Sequence, residues 1–411
     1  METKRAFKEL GVVCFLVMFS IVSIGLVDVE AASAPKTIKI GGAVSFTGHF
    51  ASGGLESKFG YEQAVADINK AGGVYVKQFD KKIPLEVILE DDESQPTKTV
   101  ARLEKLYNVD GVVVYLGGYG SAVNATAAGI AEKNRVPILA VSFGLLAPHQ
   151  QGYKYLFSPH TKTDFLLEAT FETINTIPKA ERPHKLAIFA EKTDWGEELI
   201  RLTPDVAKKH DYTIVTTKNY APGTKDFSSL IIAAKTAGAE IVLGLPRPMD
   251  GITMMKQIKE LDYNPKAVFF WRAAGVPLWG KNLGKDGNYA CYVSNWDHTF
   301  KYPGCSGLID AYKSKHQGRL PQVTVGVTYS CVQIIANAIE RAGTIDSEKI
   351  RDAIAATDIT TVQGPVKFRP DGVGITYVAT IQWQKGLTQV VYHKEFTSSP
   401  FLLMPKWSER K

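Results

Sequence analysis

Two groups of residues in this chain have the types and spacing to act on a small molecule. The first is a pair of glycine- and hydroxyl-rich loops, Phe46-Thr47-Gly48-His49-Phe50-Ala51-Ser52-Gly53-Gly54 and Gly117-Gly118-Tyr119-Gly120-Ser121, each following an apolar run. A loop of this kind that opens a helix offers unpaired backbone N–H groups, and the positive end of the helix dipole, to an anion. Ser121 heads such a helix, where from the residues alone an N-cap is the plainer reading. The second comprises Trp195 in Asp194-Trp195-Gly196, Arg247 in Leu245-Pro246-Arg247-Pro248, and Arg272 after Trp271; their place at a site is implied only by the resemblance given below. Guanidinium groups pair with carboxylates in a planar fork, and an indole offers a stacking wall. Solvated loop arginines and a core tryptophan are the plainer readings.

Catalysis is not indicated. The 8 histidines include no HExxH spacing, Ser121 lacks a nucleophile elbow, and no CxxC pair is present. Gly118-Tyr119-Gly120 begins a GxGxxG, but Val123 holds the last glycine position, so no dinucleotide site is expected. Glu90-Asp91-Asp92-Glu93 has the charge to hold a metal. At a strand end it is instead expected to be a solvated turn that caps the next helix. The expectation is a protein with no enzymatic activity, no cofactor and no metal.

The elements that position these groups alternate. Ile38–Val44, Pro84–Leu89, Gly111–Leu116 and Val136–Val141 read as buried strands. Between them, Tyr61, Ala64, Val65 and Ile68 mark one face of a helix stopped by Gly72-Gly73, Pro96 opens a second, and Ser121–Asn134 forms a third. The pattern recurs with strands at Lys185–Ala190, Tyr212–Thr217, Glu240–Leu245 and Ala267–Trp271. Helices are expected from about Gly196, over Asp226–Ala237 and over Asp250–Leu261. Strand–helix units of this length are those a parallel sheet requires, and ligands bind such sheets beyond the carboxyl ends of the strands. The tail differs, with strands at Val366–Phe368 and Tyr377–Gln384.

A length of 411 residues with 45% hydrophobic composition allows a large core and more than one domain. The net charge of +6 is scattered, with no basic stripe, so no nucleic-acid partner is expected. Residues 1–34 read as a secretory signal peptide: Lys4, Arg5 and Lys8, an uncharged run from Leu10 to Val27, and small-residue cleavage sites near Ala31 and Ala34. The alternative is an uncleaved anchor, and Cys14 is not placed as a lipoprotein cysteine. No later segment is expected to reach membrane-spanning length. In an oxidising compartment Cys291 and Cys305 could pair and leave Cys331 free; three small buried side chains is the equally weighted reading.

Residues 37 to about 395 resemble the leucine/isoleucine/valine-binding family of periplasmic solute-binding proteins. The resemblance is carried by Thr47-Gly48 with Gly53-Gly54, by Gly60-Tyr61-Glu62-Gln63-Ala64-Val65-Ala66-Asp67-Ile68-Asn69-Lys70-Ala71-Gly72-Gly73, by Asp91-Asp92 before Pro96, and by Gly364-Pro365-Val366-Lys367-Phe368 through Asp371-Gly372. It implies an α/β fold of the type I periplasmic binding protein class, with two Rossmann-like lobes of parallel sheet joined by three crossovers near Phe157, Val293 and Asp371. The lobes would comprise 35–157 plus 293–371 and 158–292 plus 372–411. A small ligand would be captured between them by hinge closure. The partner would be the permease of an ABC importer, the location periplasmic, and the receptor a monomer.

The resemblance also implies site residues. Ser121 matches the family's carboxylate-binding serine, with Tyr119 and the N–H groups of Gly120 and Ser121 beside it. Ser142 and Gly144 follow the fourth strand, where the family often places a carbonyl and a hydroxyl; Gly144 has no hydroxyl, and Ser142 is the substitute. Trp195 matches an aromatic lid. The family's amino-acid binders place an ammonium-neutralising Glu after the last strand of the second lobe, and aligned on Gly275-Val276 that position is Ala274. Arg247 falls near a ligand-facing aromatic, and Arg272 lies close by. A buried ammonium with no countercharge costs several kcal/mol. The expected ligand is therefore a carboxylate without an α-ammonium, aromatic or dicarboxylic. The competing expectation is an ordinary amino acid, its ammonium met by Ser142, carbonyls and an acid such as Asp250 or Glu191. A ligand sensor on the same fold is the rival class. It would need a second span or signalling module, neither of which the sequence shows, and so would act through a separate partner.

Overall fold

Apolar runs without alternation are what a strand needs when both faces are covered, and Ile38-Lys39-Ile40-Gly41-Gly42-Ala43-Val44 is such a run. In the computed structural model, which describes residues 33–393 and 395–410, it forms the interior strand β1 (Ile38–Val44). The leader expected over residues 1–34, Cys14 included, lies outside the described residues except for Ser33 and Ala34.

The first sheet contains β1, β4 (Leu85–Asp91), β5 (Val114–Leu116), β6 (Ile138–Leu139) and β7 (Leu156–Phe157). Its order is β4-β1-β5-β6-β7, and every pair is parallel. A small antiparallel ribbon, β2 (Val74–Val76) and β3 (Lys81–Ile83), precedes β4. The helices of this half are α1 (Ala51–Lys70), α2 (Pro96–Lys105) and α3 (Ser121–Asn134). Tyr61, Ala64 and Val65 of α1 are buried, as their spacing requires, and the Tyr61 hydroxyl donates to the Gly117 carbonyl at 2.8 Å. The second sheet has order β17-β16-β12-β11-β10-β8-β9. Its strands are β8 (Lys185–Glu191), β9 (Thr213–Tyr220), β10 (Ile241–Gly244), β11 (Ala267–Phe270), β12 (Ala290–Ser294), β16 (Ala379–Gln384) and β17 (Leu387–Tyr392). The last two pair antiparallel. Around it lie α4 (Thr163–Ile174), α5 (Asp194–Lys209), α6 (Ser228–Thr236), α7 (Pro248–Glu260) and α8 (Pro277–Leu283).

The chain leaves the first sheet after Phe157 and the second after Ser294, and it re-enters the second at Ala379. Between the latter two points it forms α9 (Cys305–Lys315), α10 (Val323–Ala342), α11 (Ser347–Ala355) and a sheet of β13 (Asp358–Thr361), β14 (Gly364–Phe368) and β15 (Gly374–Ile375). Helix α10 packs on α1, with the Tyr329 hydroxyl donating to Asp67 at 2.9 Å, which returns this stretch to the first half. The first and third passages run side by side, joined by Ser158 N–H to Gly372 O at 2.9 Å and Gly374 N–H to Ser158 O at 2.8 Å. This is the two-lobed fold with three crossovers.

Some expectations are corrected. Of Val136–Val141 only Ile138–Leu139 is strand. Helix α10, with 20 residues and a mean hydropathy of 1.2, is long and apolar enough to span a membrane, contrary to the expectation for the later chain; 72% of its most apolar window is buried, as in a core helix. Cys291, Cys305 and Cys331 are all buried and unpaired, so the small-side-chain reading holds and no Cys291–Cys305 disulfide is present.

Candidate functional site

A cleft of about 410 Å³ opens between the lobes, lined by residues from the ends of both sheets and from the crossovers. On the first-lobe side lies the start of α3. Gly120 occupies its N-cap position with φ 112° and ψ 147°, a conformation open only to glycine, and the Phe50 ring packs where a Cβ would stand. Ser121 is therefore the first helical residue rather than the cap, and no side-chain cap bond is made at this end. The N–H groups of the first turn have no intrahelical acceptor, and the Ser121 hydroxyl makes no cap bond. Asn124, fully buried, fixes this loop by donating through Nδ2 to the carbonyls of Gly118, Gly120 and Val141 at 2.7, 2.9 and 2.9 Å. Tyr119 lies over Gly53 and meets Phe50 edge to face at 6.0 Å.

The acidic run at 90–93 braces this wall. Asp91 accepts from Phe46 N and the Thr47 hydroxyl, both at 2.8 Å, and Asp92, fully buried, accepts from Ser45 and Thr99 hydroxyls at 2.6 and 2.9 Å. Asp91 is committed to the loop that carries Phe50, and Asp92 ties Ser45, just after β1, to Thr99 on α2. Among the described residues no group of three or more His, Cys, Asp or Glu could hold a metal ion.

Ser142 lines the cleft with a left-handed backbone, φ 48°, and its hydroxyl lies 3.3 Å from that of Thr324 on α10. A non-glycine residue held in that region is strained, and such strain concentrates at binding sites. Gly144 is a correction. It does not line the cleft; it seats Trp195, whose Cζ2 lies 2.3 Å from where a Gly144 Cβ would be. Trp195 itself lines the cleft, packs against the cores of both lobes, and donates Nε1–H to the Thr163 hydroxyl at 2.9 Å. Beside it Glu198 of α5 accepts from Leu146 N at 2.8 Å, Ala147 N at 2.9 Å and the Thr163 hydroxyl at 2.7 Å. This carboxylate joins α5 to the loop after β6 across the lobes.

The second-lobe wall holds the charges. Glu191 ends β8 and is 1% exposed. Arg247 Nε approaches its Oε1 to 2.8 Å and Arg272 Nη1 its Oε2 to 3.8 Å. The contacts are ionic rather than directional, since neither Glu191 oxygen accepts a hydrogen bond. The Arg272 guanidinium also lies 5.9 Å over the Trp195 ring. The triad carries one more positive than negative charge. Its field reaches the first lobe: burial first, then Arg247 and Arg272, hold the His49 imidazole below its ordinary value. Asp250, in the first turn of α7, has its carboxyl raised by burial and then by Glu191.

Ala274 is the second correction. It is fully buried, its carbonyl accepts Trp383 Nε1–H at 2.7 Å, and it does not line the cleft; Gly275 and Val276 do. The structure thus brings Tyr119, Gly120, Ser121, Ser142, Trp195, Arg247 and Arg272 together around one space and excludes Gly144 and Ala274. Sequence reasoning did not place Phe50, His160, Thr161, Trp271, Tyr292, Asn295 and Thr324 at the site. For Phe50 the glycine-rich loop was a usable signal. For Glu191, weighed only as an ammonium partner, the signal was a charged residue closing a buried apolar strand.

Two parallel-sheet lobes around an aromatic-walled cleft, with a helix N-terminus on one side and arginines on the other, define a ligand-capturing protein of the two-lobed α/β class. The chain belongs to the periplasmic binding protein family, whose model matches residues 37–387. Proteins of this family and fold bind substrates rather than transform them, and the family implies an extracytoplasmic location. Among the similar curated proteins is a Leu/Ile/Val-binding protein homolog 7 of Brucella abortus, 25% identical over 387 residues that cover 90% of this chain and 95% of the relative. Similar solved structures include a leucine-binding protein of Thermotoga maritima, at TM-score 0.75 and 18% identity over 88% of this chain and 99% of that one. A branched-chain amino acid transporter substrate-binding protein of Streptococcus pneumoniae in complex with isoleucine has TM-score 0.74 and 20% identity over 87% and 99%. A solute-binding protein of R. palustris in complex with benzoate has TM-score 0.72 and 15% identity over 88% and 99%. These likenesses set the chain beside binding proteins named for branched-chain amino acids and one in complex with benzoate.

Proposed function

We propose that this protein is the solute receptor of an ABC importer and captures a small organic carboxylate that lacks an α-ammonium. The carboxylate would meet the first turn of α3 and the Ser121 and Ser142 hydroxyls. Phe50, Tyr119, Trp195, Trp271 and Tyr292 would enclose the body of the ligand. The observation that carries the reading is the Arg247–Glu191–Arg272 triad: the deeply buried carboxylate at this wall is already shared by two cations, and the position aligned with an ammonium partner is a buried alanine. The lobes, taken as 35–157 plus 293–371 and 158–292 plus 372–411, would close on the ligand, since only contacts to both lobes select the closed state. A monomeric receptor delivering to a membrane permease fits this arrangement. Structural neighbours hold isoleucine in one case and benzoate in another, so the fold admits ligands with and without an ammonium.

Titration calorimetry of the mature protein with leucine, 4-methyl-2-oxopentanoate and benzoate tests the reading. Binding of the keto acid or benzoate in preference to leucine is expected. Tight leucine binding with no binding of the keto acid would sink it.

A further inference from the structure

The crossovers contribute more to the cleft than a hinge. His160 and Thr161 follow the first crossover and Asn295 follows the second, and all three line the cleft. Thr161 is 2% and Asn295 1% exposed. Each carries a buried polar atom without a hydrogen-bond partner: His160 Nδ1, Thr161 Oγ1 and Asn295 Oδ1. The three are held in one place, because Asn295 Nδ2 donates to the Pro159 carbonyl at 2.8 Å. That bond fixes the amide, since a carbonyl only accepts. Asn295 Oδ1 is therefore an acceptor with nothing to accept. A buried polar group left unpaired costs about 1–3 kcal/mol, and three such groups sit on residues that line one cleft.

We propose that His160, Thr161 and Asn295 form a subsite for an uncharged hydroxyl on the ligand, so that the cleft selects hydroxy-substituted carboxylic acids. The inference rests on the carboxylate reading above. Asn295 Oδ1 requires a donor, and the Thr161 hydroxyl can accept or donate to the same group, as a hydroxyl needs. An ammonium would satisfy the same acceptors. However, the acids that line the cleft are Glu191, committed to Arg247 and Arg272, and Asp194, which is exposed. Burial, with the neighbouring Lys162 second, lowers the His160 imidazole to about 3, so this residue is neutral and adds no charge to bind or repel. A site built to hydrogen-bond a hydroxyl rejects the analogue that lacks it, because its own polar groups then stay unpaired.

The test uses matched probes on the mature protein: 2-hydroxy-4-methylpentanoate against 4-methylpentanoate, and the three monohydroxybenzoates against benzoate, each by calorimetry. At least one hydroxy acid should bind at least tenfold more tightly than its deoxy partner. Thr161→Val should erase that difference, and Thr161→Ser should restore it. Equal affinities within both probe sets, or equal weakening of both partners by Thr161→Val, overturns the subsite while leaving the carboxylate reading standing. Leucine binding with no affinity for any of these acids instead overturns the carboxylate reading itself.

Discussion

Glu191→Gln separates the two ways of reading the charged wall. Glu191 is almost wholly buried and shared between Arg247 at 2.8 Å and Arg272 at 3.8 Å. Glutamine keeps the shape and removes one negative charge, so the triad gains a unit of positive potential. A unit change about 6 Å from a bound anion is worth about 3 kcal/mol at an effective dielectric of 20. The arginine side chains are 41% and 26% exposed, so water and salt should reduce this to about 1 kcal/mol, a factor of about five. The same exposure lets both guanidinium groups reach solvent once their partner is gone. The cost to the fold should be near 1 kcal/mol, or about 2–4 °C in Tm. Calorimetry should show a dicarboxylate such as glutarate binding about fivefold more tightly to the variant, with a salt dependence steeper than in the parent. Monocarboxylates, held at α3, should change less. If the variant melts normally yet loses its best ligand, Glu191 is a direct partner of a cationic group and the charge reasoning is refuted.

Arg247→Ala is the mirror of that change and should weaken the true ligand at least about tenfold, or 1.4 kcal/mol; unchanged affinity places Arg247 outside the site. Ser121→Ala should cost about 10–100-fold in carboxylate affinity, as expected for a hydrogen bond to a charged group. It should leave the ligand-free Tm unmoved, because Ser121 makes no cap bond; a fall in Tm with affinity intact would mark a structural serine instead. Stability should fall on acidification. Burial lowers the His149 and His160 imidazoles from their ordinary 6.5 to about 3 each. The unfolded chain then binds more protons between those values, and stability is lost as pH drops from about 6.5 toward 3, by up to about 1.4 kcal/mol per pH unit per histidine. Lys162, also pushed down by burial, acts in the same sense. A Tm that stays flat between pH 7 and 5 contradicts this.

Much of the scaffold was legible because its signals are local. The seven residues of β1 and the span Ser121–Asn134 of α3 match their expected bounds. Gly72 and Gly73 end α1 with φ of 100° and 85°, as helix-stopping glycines do. The stretch from α9 to β13 carried no assignment, because its packing depends on α1, more than two hundred residues away. The site was half legible for a related reason. Counting positions brought Ala274 to the right loop but could not give its direction, which the tight turn after β11 sets by burying Ala274 and presenting Gly275 and Val276. Gly144 was chosen for a missing hydroxyl, whereas its importance is the missing Cβ beneath Trp195. Glu191 became a cation-sharing residue only once parallel β8, β10 and β11 brought three strand ends together.

The carboxylate of Glu198 has a consequence for transport economy. It bridges the lobes through the Leu146 and Ala147 amides, a bond made between protein groups alone. Every such ligand-independent bond raises the fraction of molecules in the capture-ready shape, and apparent affinity improves in proportion to that fraction. The same bond lets an empty molecule imitate a loaded one. Under the receptor role proposed above, the strength of one buried carboxylate would set a compromise between sensitivity at low solute and idle turnover of the importer.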